Sequence, residues 1–194
     1  MTMTDSKHLV SIEQAILALR EGQVIAYPTE AVFGLGCDPD NEKAILQLLA
    51  LKDRAETKGL IIIAADIAQL SNYVNDALIS EEMWERAKRS WPGPVTWLMP
   101  VKSTVSKLLT GEHDTIAVRV TAHPVASRLC KEFAKPIVST SANFAGQPPA
   151  RSAEEVQQQF LDQIKYIVAG EVDYNASPSE IRELHTNKVI RKGS

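Results

Sequence analysis

Nine side chains in this sequence could together handle a phosphorylated ligand. Four are cations: Lys52, Arg54, Arg119 and Arg191. Four are hydroxyls, Thr29, Ser139, Ser141 and Ser179, and one is an amide, Asn143. Arg offers a flat fork of donors and Lys a point charge, and a polyphosphate uses both. Hydroxyls and an amide bind phosphate, ribose or base edges without adding charge. The sequence has no G-x-x-x-x-G-K-[ST] loop and no G-x-S-x-G elbow. His8, His113, His123 and His185 lack metal-ligand spacing. Nothing marks a Ser-His-Asp set. The inventory therefore suits positioning and charge neutralisation of a nucleotide, not a covalent enzyme intermediate.

Each group also has a plainer reading. Lys52-Asp53-Arg54, with Lys58 beyond, is either a solvated loop or a phosphate clamp. In both readings Lys52 and Arg54 lie in a loop, so replacing them is expected to spare the fold. Arg119 stands in an apolar run and needs an anionic partner, either a structural carboxylate or a ligand's. The run from Ser139 to Asn143 is either a ligand-binding strand end or a polar turn that caps itself. Trp91 and Trp97 could stack on a base, but core packing is the better account.

The elements that must position these groups are legible from periodicity. Residues 24–27 form a short apolar run, as in a strand buried on both faces. Pro28 has no N–H and stops the ladder, leaving Thr29 and Glu30 at the strand mouth, where open α/β sheets bind ligands. Gly34-Leu35-Gly36 allows a sharp turn and a close approach, though no third glycine stands at Rossmann spacing. Helices are expected over residues 11–21, with Ser11 and Gln14 as a capping box, and from an Asp40 cap through Leu48 and Leu51. Further helices are expected over residues 80–89, from His123-Pro124 through Phe133, and over residues 153–160 behind a Ser152–Glu155 capping box. Strands are expected at residues 60–64, 95–99, 115–120, 136–138 and 166–169, with one or two late edge strands in the basic tail. Residues 101–114 show little periodicity and read as a mobile loop. Together these imply a single α/β domain over residues 1–194, with residues 1–8 frayed.

Composition agrees. The 194 residues are 44% hydrophobic and 23% charged, ordinary for a globular domain with one sizeable core. No 18-residue apolar window suggests a membrane span, and the polar start lacks a signal-peptide core, so a cytoplasmic protein is expected. Cys37 and Cys130 are too few for a disulfide framework or a zinc cage and read as two reduced thiols. A net charge of −3 confines any RNA contact to a local basic face.

The motifs taken in order resemble the YrdC/TsaC family of threonylcarbamoyl-adenylate synthases, in its short, single-domain form. They are Tyr27-Pro28-Thr29-Glu30 with Phe33-Gly34-Leu35-Gly36, then Lys52-x-Arg54, then Trp91-Pro92-Gly93-Pro94-Val95-Thr96. Val118-Arg119-Val120, Ser141-x-Asn143 with Gly146-x-Pro148-Pro149, Pro178-Ser179-Glu180-Ile181 and Arg191-x-Gly193 complete the set, spanning about residues 10 to 193. The resemblance implies a twisted open mixed sheet with flanking helices and a large concave cavity. It implies synthesis of L-threonylcarbamoyl-AMP and pyrophosphate from L-threonine, bicarbonate and ATP with Mg²⁺, for adenosine 37 of tRNAs that read codons beginning with A. By the family pattern Lys52, Arg54, Ser141, Asn143 and Arg191 hold ATP, with Thr115 and Pro149 lining that side and Lys52 and Arg54 as the catalytic pair. Thr29, Arg119, Ser139 and Ser179 hold threonine, Arg119 meeting its carboxylate. Proteins of the TsaB, TsaD and TsaE type would receive the product, with tRNA or rRNA contact also expected. The alternative from another class is a non-catalytic double-stranded RNA-binding or ribosome-maturation protein. The sequence departs from many relatives at Glu180, where they carry Thr, and at Ala64 and Ala65, where longer ones carry His.

Overall fold

The computed structural model describes residues 8–193. The apolar run after Gln23 forms β2 (Ile25–Pro28), buried at every residue, and returns as β3 (Phe33–Gly36). The two pair antiparallel from Ile25↔Gly36 to Pro28↔Phe33. Pro28 is thus the last rung of the ladder, and the chain turns immediately after it.

Around this hairpin lies one ten-stranded mixed sheet. The other strands are β1 (Leu9–Val10), β4 (Ile61–Ala64), β5 (Val95–Pro100), β6 (Thr115–Val120), β7 (Ile137–Ser141), β8 (Ile167–Val168), β9 (Glu180–Glu183) and β10 (Val189–Arg191). Their order across the sheet is β1-β8-β2-β3-β7-β4-β6-β5-β9-β10. Pairs β1–β8, β2–β8, β4–β6 and β5–β9 are parallel, and the rest antiparallel.

Strand residues alternate between two faces. Ala26, Leu35, Ile62, Val118, Val138 and Trp97 point to one face and join the larger core. Helices α2 (Glu42–Leu51), α3 (Glu81–Ser90), α4 (Lys107–Thr110) and α6 (Ala153–Phe160) cover that face through side chains such as Leu48, Ala87, Leu109 and Phe160. The other face carries Ile25, Tyr27, Ile63 and Ile137, packed beneath α1 (Ile12–Arg20) and α5 (Pro124–Phe133). By the same alternation Gly34, Thr96, Arg119, Ser139 and Ser141 also belong to this second face. Such small and polar residues cannot anchor a helix, and this part of the sheet stays open.

Several expectations shift. Asn41, not Asp40, caps α2, its side chain accepting from the Ala44 N–H. Asp40 instead accepts from the Tyr73 hydroxyl and pairs with Lys135. The capping box of Ser11 and Gln14 is present. Ser152 also caps as expected, but the Glu155 carboxylate reaches back to the Arg151 N–H. Residues 101–114 are not a featureless loop: α4 buries Leu109, and Leu60 N–H donates to Leu109 C=O. A four-residue helix gives too short a period to read in sequence. β7 runs on through Ser141, so Ser139 and Ser141 sit on a strand and not in a turn. His8, expected in the frayed terminus, is buried beside Asp162, and its carbonyl accepts from Ile167 N–H. The rest of that terminus, residues 1–7, lies outside the described residues. Cys37 and Cys130 are free and buried, and Trp91 and Trp97 are core residues.

Gly36 is fixed by the second face. A Cβ there would lie 2.3 Å from the Val138 carbonyl oxygen and 2.8 Å from the Tyr27 ring. Gly36→Ala should therefore cost about 1–3 kcal/mol or more of unfolding free energy, because a backbone carbonyl cannot move aside. Urea titration of both proteins measures this, and an unchanged midpoint would refute the close approach.

Candidate active site

The open part of the second face is the floor of a cavity of about 280 Å³. The β2–β3 turn brings Thr29 to it, β6 brings Arg119, and β7 brings Ser139 and Ser141. Arg54 enters from the end of α2, and Pro149 from the segment before α6. Ser179 comes from the residue just before β9 and Arg191 from the end of β10. An adjoining cleft of about 160 Å³ holds Lys52 and Asn143 and shares Arg54 and Ser141 with the cavity. Thr115 lines neither. It pairs with Pro100 at the start of β6, four residues from Arg119, which is about 13 Å along a strand.

Lys52 closes a knot between distant segments. It is the residue after α2, and its ammonium donates to the carbonyls of Ser141 and Asn143, the second at 2.7 Å. The Ser141 hydroxyl donates to Asn143 Oδ1 at 2.6 Å, and Asn143 Nδ2 donates to the carbonyls of Phe144 and Gln147. Lys52 is only 7% exposed. The expectation that its replacement would spare the fold therefore needs correcting. Its loss would leave two carbonyls short of a donor, at about 1–3 kcal/mol for each one kept from water. Arg54 makes one hydrogen bond, to Gly59 C=O at 2.9 Å, and is the cleaner probe.

The electrostatics are one-sided. Burial, then the nearby Arg54, pushes the Lys52 ammonium down to about 8. Burial likewise lowers Arg54. Arg191 is lowered by burial and then by Arg119 and Arg54. It donates to Ser179 C=O at 2.9 Å. Against these cations, among the described residues, the cavity wall offers one carboxylate, Glu30, and the adjoining cleft one more, Asp53.

Glu30 supplies the partner that Arg119 requires. Arg119 Nη2 lies 3.3 Å from Glu30 Oε2. That is close enough for Coulomb attraction, yet among the described residues Oε2 makes no hydrogen bond and Arg119 Nε has no partner either. Burial pushes the Glu30 carboxyl up. Arg119, Thr121 and the Ala122 N–H outweigh this and leave it below the ordinary carboxylate value. The two readings of Arg119 are thus compatible: a structural carboxylate holds it while it lines the cavity.

The hydroxyls are partly committed. Thr29 donates to Val32 C=O at 2.7 Å and closes its own turn. Ser179 accepts from the Thr96 hydroxyl at 3.2 Å. Glu30 lies at the ligand-binding strand mouth expected from the sequence, but no role among the site residues follows from sequence alone. Thr140, Ser177 and Pro178 also line the cavity. Ser177 and Pro178 belong to residues 169–179, which carry the chain from β8, second in the sheet, to β9, ninth. No local sequence signal specifies that crossing.

The Sua5/YciO/YrdC family model, described as "Telomere recombination", matches residues 17–193. A curated protein of Serratia proteamaculans named threonylcarbamoyl-AMP synthase is 56% identical over 91% of this chain and 93% of its own length. One of the same name from Yersinia pestis is 48% identical over 98% of this chain and its whole length. The crystal structure of P. abyssi Sua5 complexed with L-threonine is 36% identical, with a TM-score of 0.83 over 89% of this chain. This chain spans only 50% of that longer one. The crystal structure of E. coli YciO is 26% identical, with a TM-score of 0.81 over 94% of this chain and 88% of that one. The open mixed α/β sheet with flanking helices is the fold of these structures, and the chain belongs to the Sua5/YciO/YrdC family.

Proposed function

We propose that this chain is an L-threonylcarbamoyl-AMP synthase. One observation carries the reading: among the described residues, Arg54, Arg119 and Arg191 line one small cavity with a single carboxylate, Glu30, and Lys52 and Lys58 line the adjoining cleft with Asp53. Such a cavity is poised for a polyanion and a second, smaller anion. The names of the curated relatives and the L-threonine complex of P. abyssi Sua5 support the same chemistry. Family membership fits this enzyme and not the non-catalytic RNA-binding alternative.

In this reading the threonine carboxylate meets Arg119, with Thr29, Ser139 and Ser179 around the rest of the amino acid. ATP lies toward Lys52, Arg54, Ser141, Asn143 and Arg191, with Pro149 beside it. Thr115, four residues back along β6, would lie toward the far end of the nucleotide. The threonine amine adds to CO2 from bicarbonate, giving a carbamate and releasing a proton. A carbamate oxygen then bonds to the α-phosphorus as the bond to pyrophosphate breaks. Two anions must approach one another, so Lys52, Arg54 and Arg191 lower the barrier by offsetting charge that is already in place. Magnesium would arrive with the nucleotide as MgATP and would add to the charge neutralisation that Lys52, Arg54 and Arg191 supply. The product passes to tRNA-modifying partners of the TsaB, TsaD and TsaE type. Nothing in the arrangement requires direct RNA contact.

Two outcomes test this. Pyrophosphate release from MgATP should require both L-threonine and bicarbonate, and release independent of either would refute the reading. Arg54→Ala should lower kcat/KM by about 10- to 150-fold, the loss of about 1.5–3 kcal/mol from one charge-assisted contact. A further test concerns Lys52. Its amine titrates near 8, and bound phosphate favours the charged form, so ATP should take up protons as it binds above pH 8 and bind more weakly as pH rises from 7 to 9. Calorimetry in two buffers of different ionisation enthalpy reads the proton. Equal uptake by wild type and Lys52→Arg would remove Lys52 from the nucleotide site.

A further inference from the structure

We infer that Glu30 is a positioning residue that reserves Arg119 for the substrate carboxylate and keeps it from the nucleotide phosphates. The inference rests on the placement of threonine proposed above. Arg119 has a long, flexible side chain and stands in a cavity where Arg54 and Arg191 already serve a polyanion. Left free, its fork could turn to phosphate as readily as to a carboxylate.

Glu30 is built to prevent that. Its Oε1 accepts from the Thr121 hydroxyl at 2.8 Å and from the Ala122 N–H at 3.1 Å. Its own carbonyl accepts from Asp173 N–H at 2.9 Å, in the segment that crosses the sheet. The carboxylate is thus tied to the chain just past β6, and the residue's backbone to residues 169–179. With Oε1 fixed, Oε2 is directed at Arg119 Nη2, 3.3 Å away. Both side chains are largely buried, 9% exposed for Arg119 and 16% for Glu30. A buried ion pair adds little stability over apolar packing of the same volume. Its place at the cavity wall is better explained by what it does to Arg119: one side of the guanidinium is held, and the remainder is presented at a set angle. In Glu30→Gln the amide can keep the Thr121 and Ala122 hydrogen bonds through its oxygen. Its NH2 would then face the Arg119 donors and push the fork away.

Calorimetric titration of L-threonine and of ATP into wild type, Glu30→Gln, Arg119→Lys and the double variant tests this. Glu30→Gln should bind threonine about tenfold more weakly while ATP affinity stays within about twofold or tightens. The double variant should bind threonine no more weakly than Arg119→Lys alone, within about twofold, because Glu30 acts through Arg119. Unchanged threonine affinity in Glu30→Gln, or equal loss for both ligands, would overturn the inference. Loss in Arg119→Lys without loss in Glu30→Gln sinks this inference alone. If Arg119→Lys binds threonine normally, the placement of threonine falls and the inference falls with it. Should Glu30→Gln fail to fold, Thr121→Val carries the test, since it keeps both charges and removes one of the two donors that hold Oε1. A threonine-selective loss of about threefold is expected there, and its absence overturns the inference.

Discussion

A sheet has two faces, and this chain fully covers only one of them. Four helices close the face that carries Ile62, Leu35 and Trp97. On the other face α1 and α5 reach Ile25, Tyr27, Ile63 and Ile137, and beyond them the sheet presents Gly34, Thr96, Ser139 and Ser141 in place of large apolar side chains. Alternation along a strand makes this possible without weakening the covered core, since neighbouring residues of the same strand face opposite ways. Val138 packs in the core while Ser139, next in sequence, lies on the cavity floor. The open floor is therefore a direct result of the residue pattern on one face.

The second constraint is charge. Lys52, Arg54, Arg119 and Arg191 are held near one another at the cost of desolvation and mutual repulsion, seen in the lowered proton affinity of Lys52, Arg54 and Arg191. Neutral acceptors carry most of the compensation: the carbonyls of Ser141 and Asn143 for Lys52, of Gly59 for Arg54 and of Ser179 for Arg191. Carbonyl dipoles orient the cations without cancelling them. A bound polyanion then meets charge already in place, which is where preorganised electrostatics gains over water. Glu30 is the exception, and it is attached to the one arginine assigned to a smaller anion.

Much of the local structure was legible in sequence. Ser11 with Gln14, Ser80 before two glutamates, His123 before Pro124 and Ser152 all mark helix starts through contacts within a single turn. The central strands showed as unbroken apolar runs because both of their faces are buried. Where neighbouring residues compete for one role, the reading slipped by a position, as with Asp40 and Asn41. Where an element is too short to have a period, as with α4 and β1, it was missed.

The sequence by itself determined the inventory of the site, the elements that carry it and the family to which the chain belongs. Each of these depends on residue types and on contacts a few positions apart. Tertiary structure alone decided which groups meet. Lys52 finds its acceptors 89 and 91 residues away, and Glu30 finds the Thr121 hydroxyl 91 residues away. Thr115 is kept from the cavity by four residues of extended strand. These outcomes follow from strand order and register. Hydrogen-bonded pairing between strands sets both, and no local stretch of chain encodes which partner a strand will find.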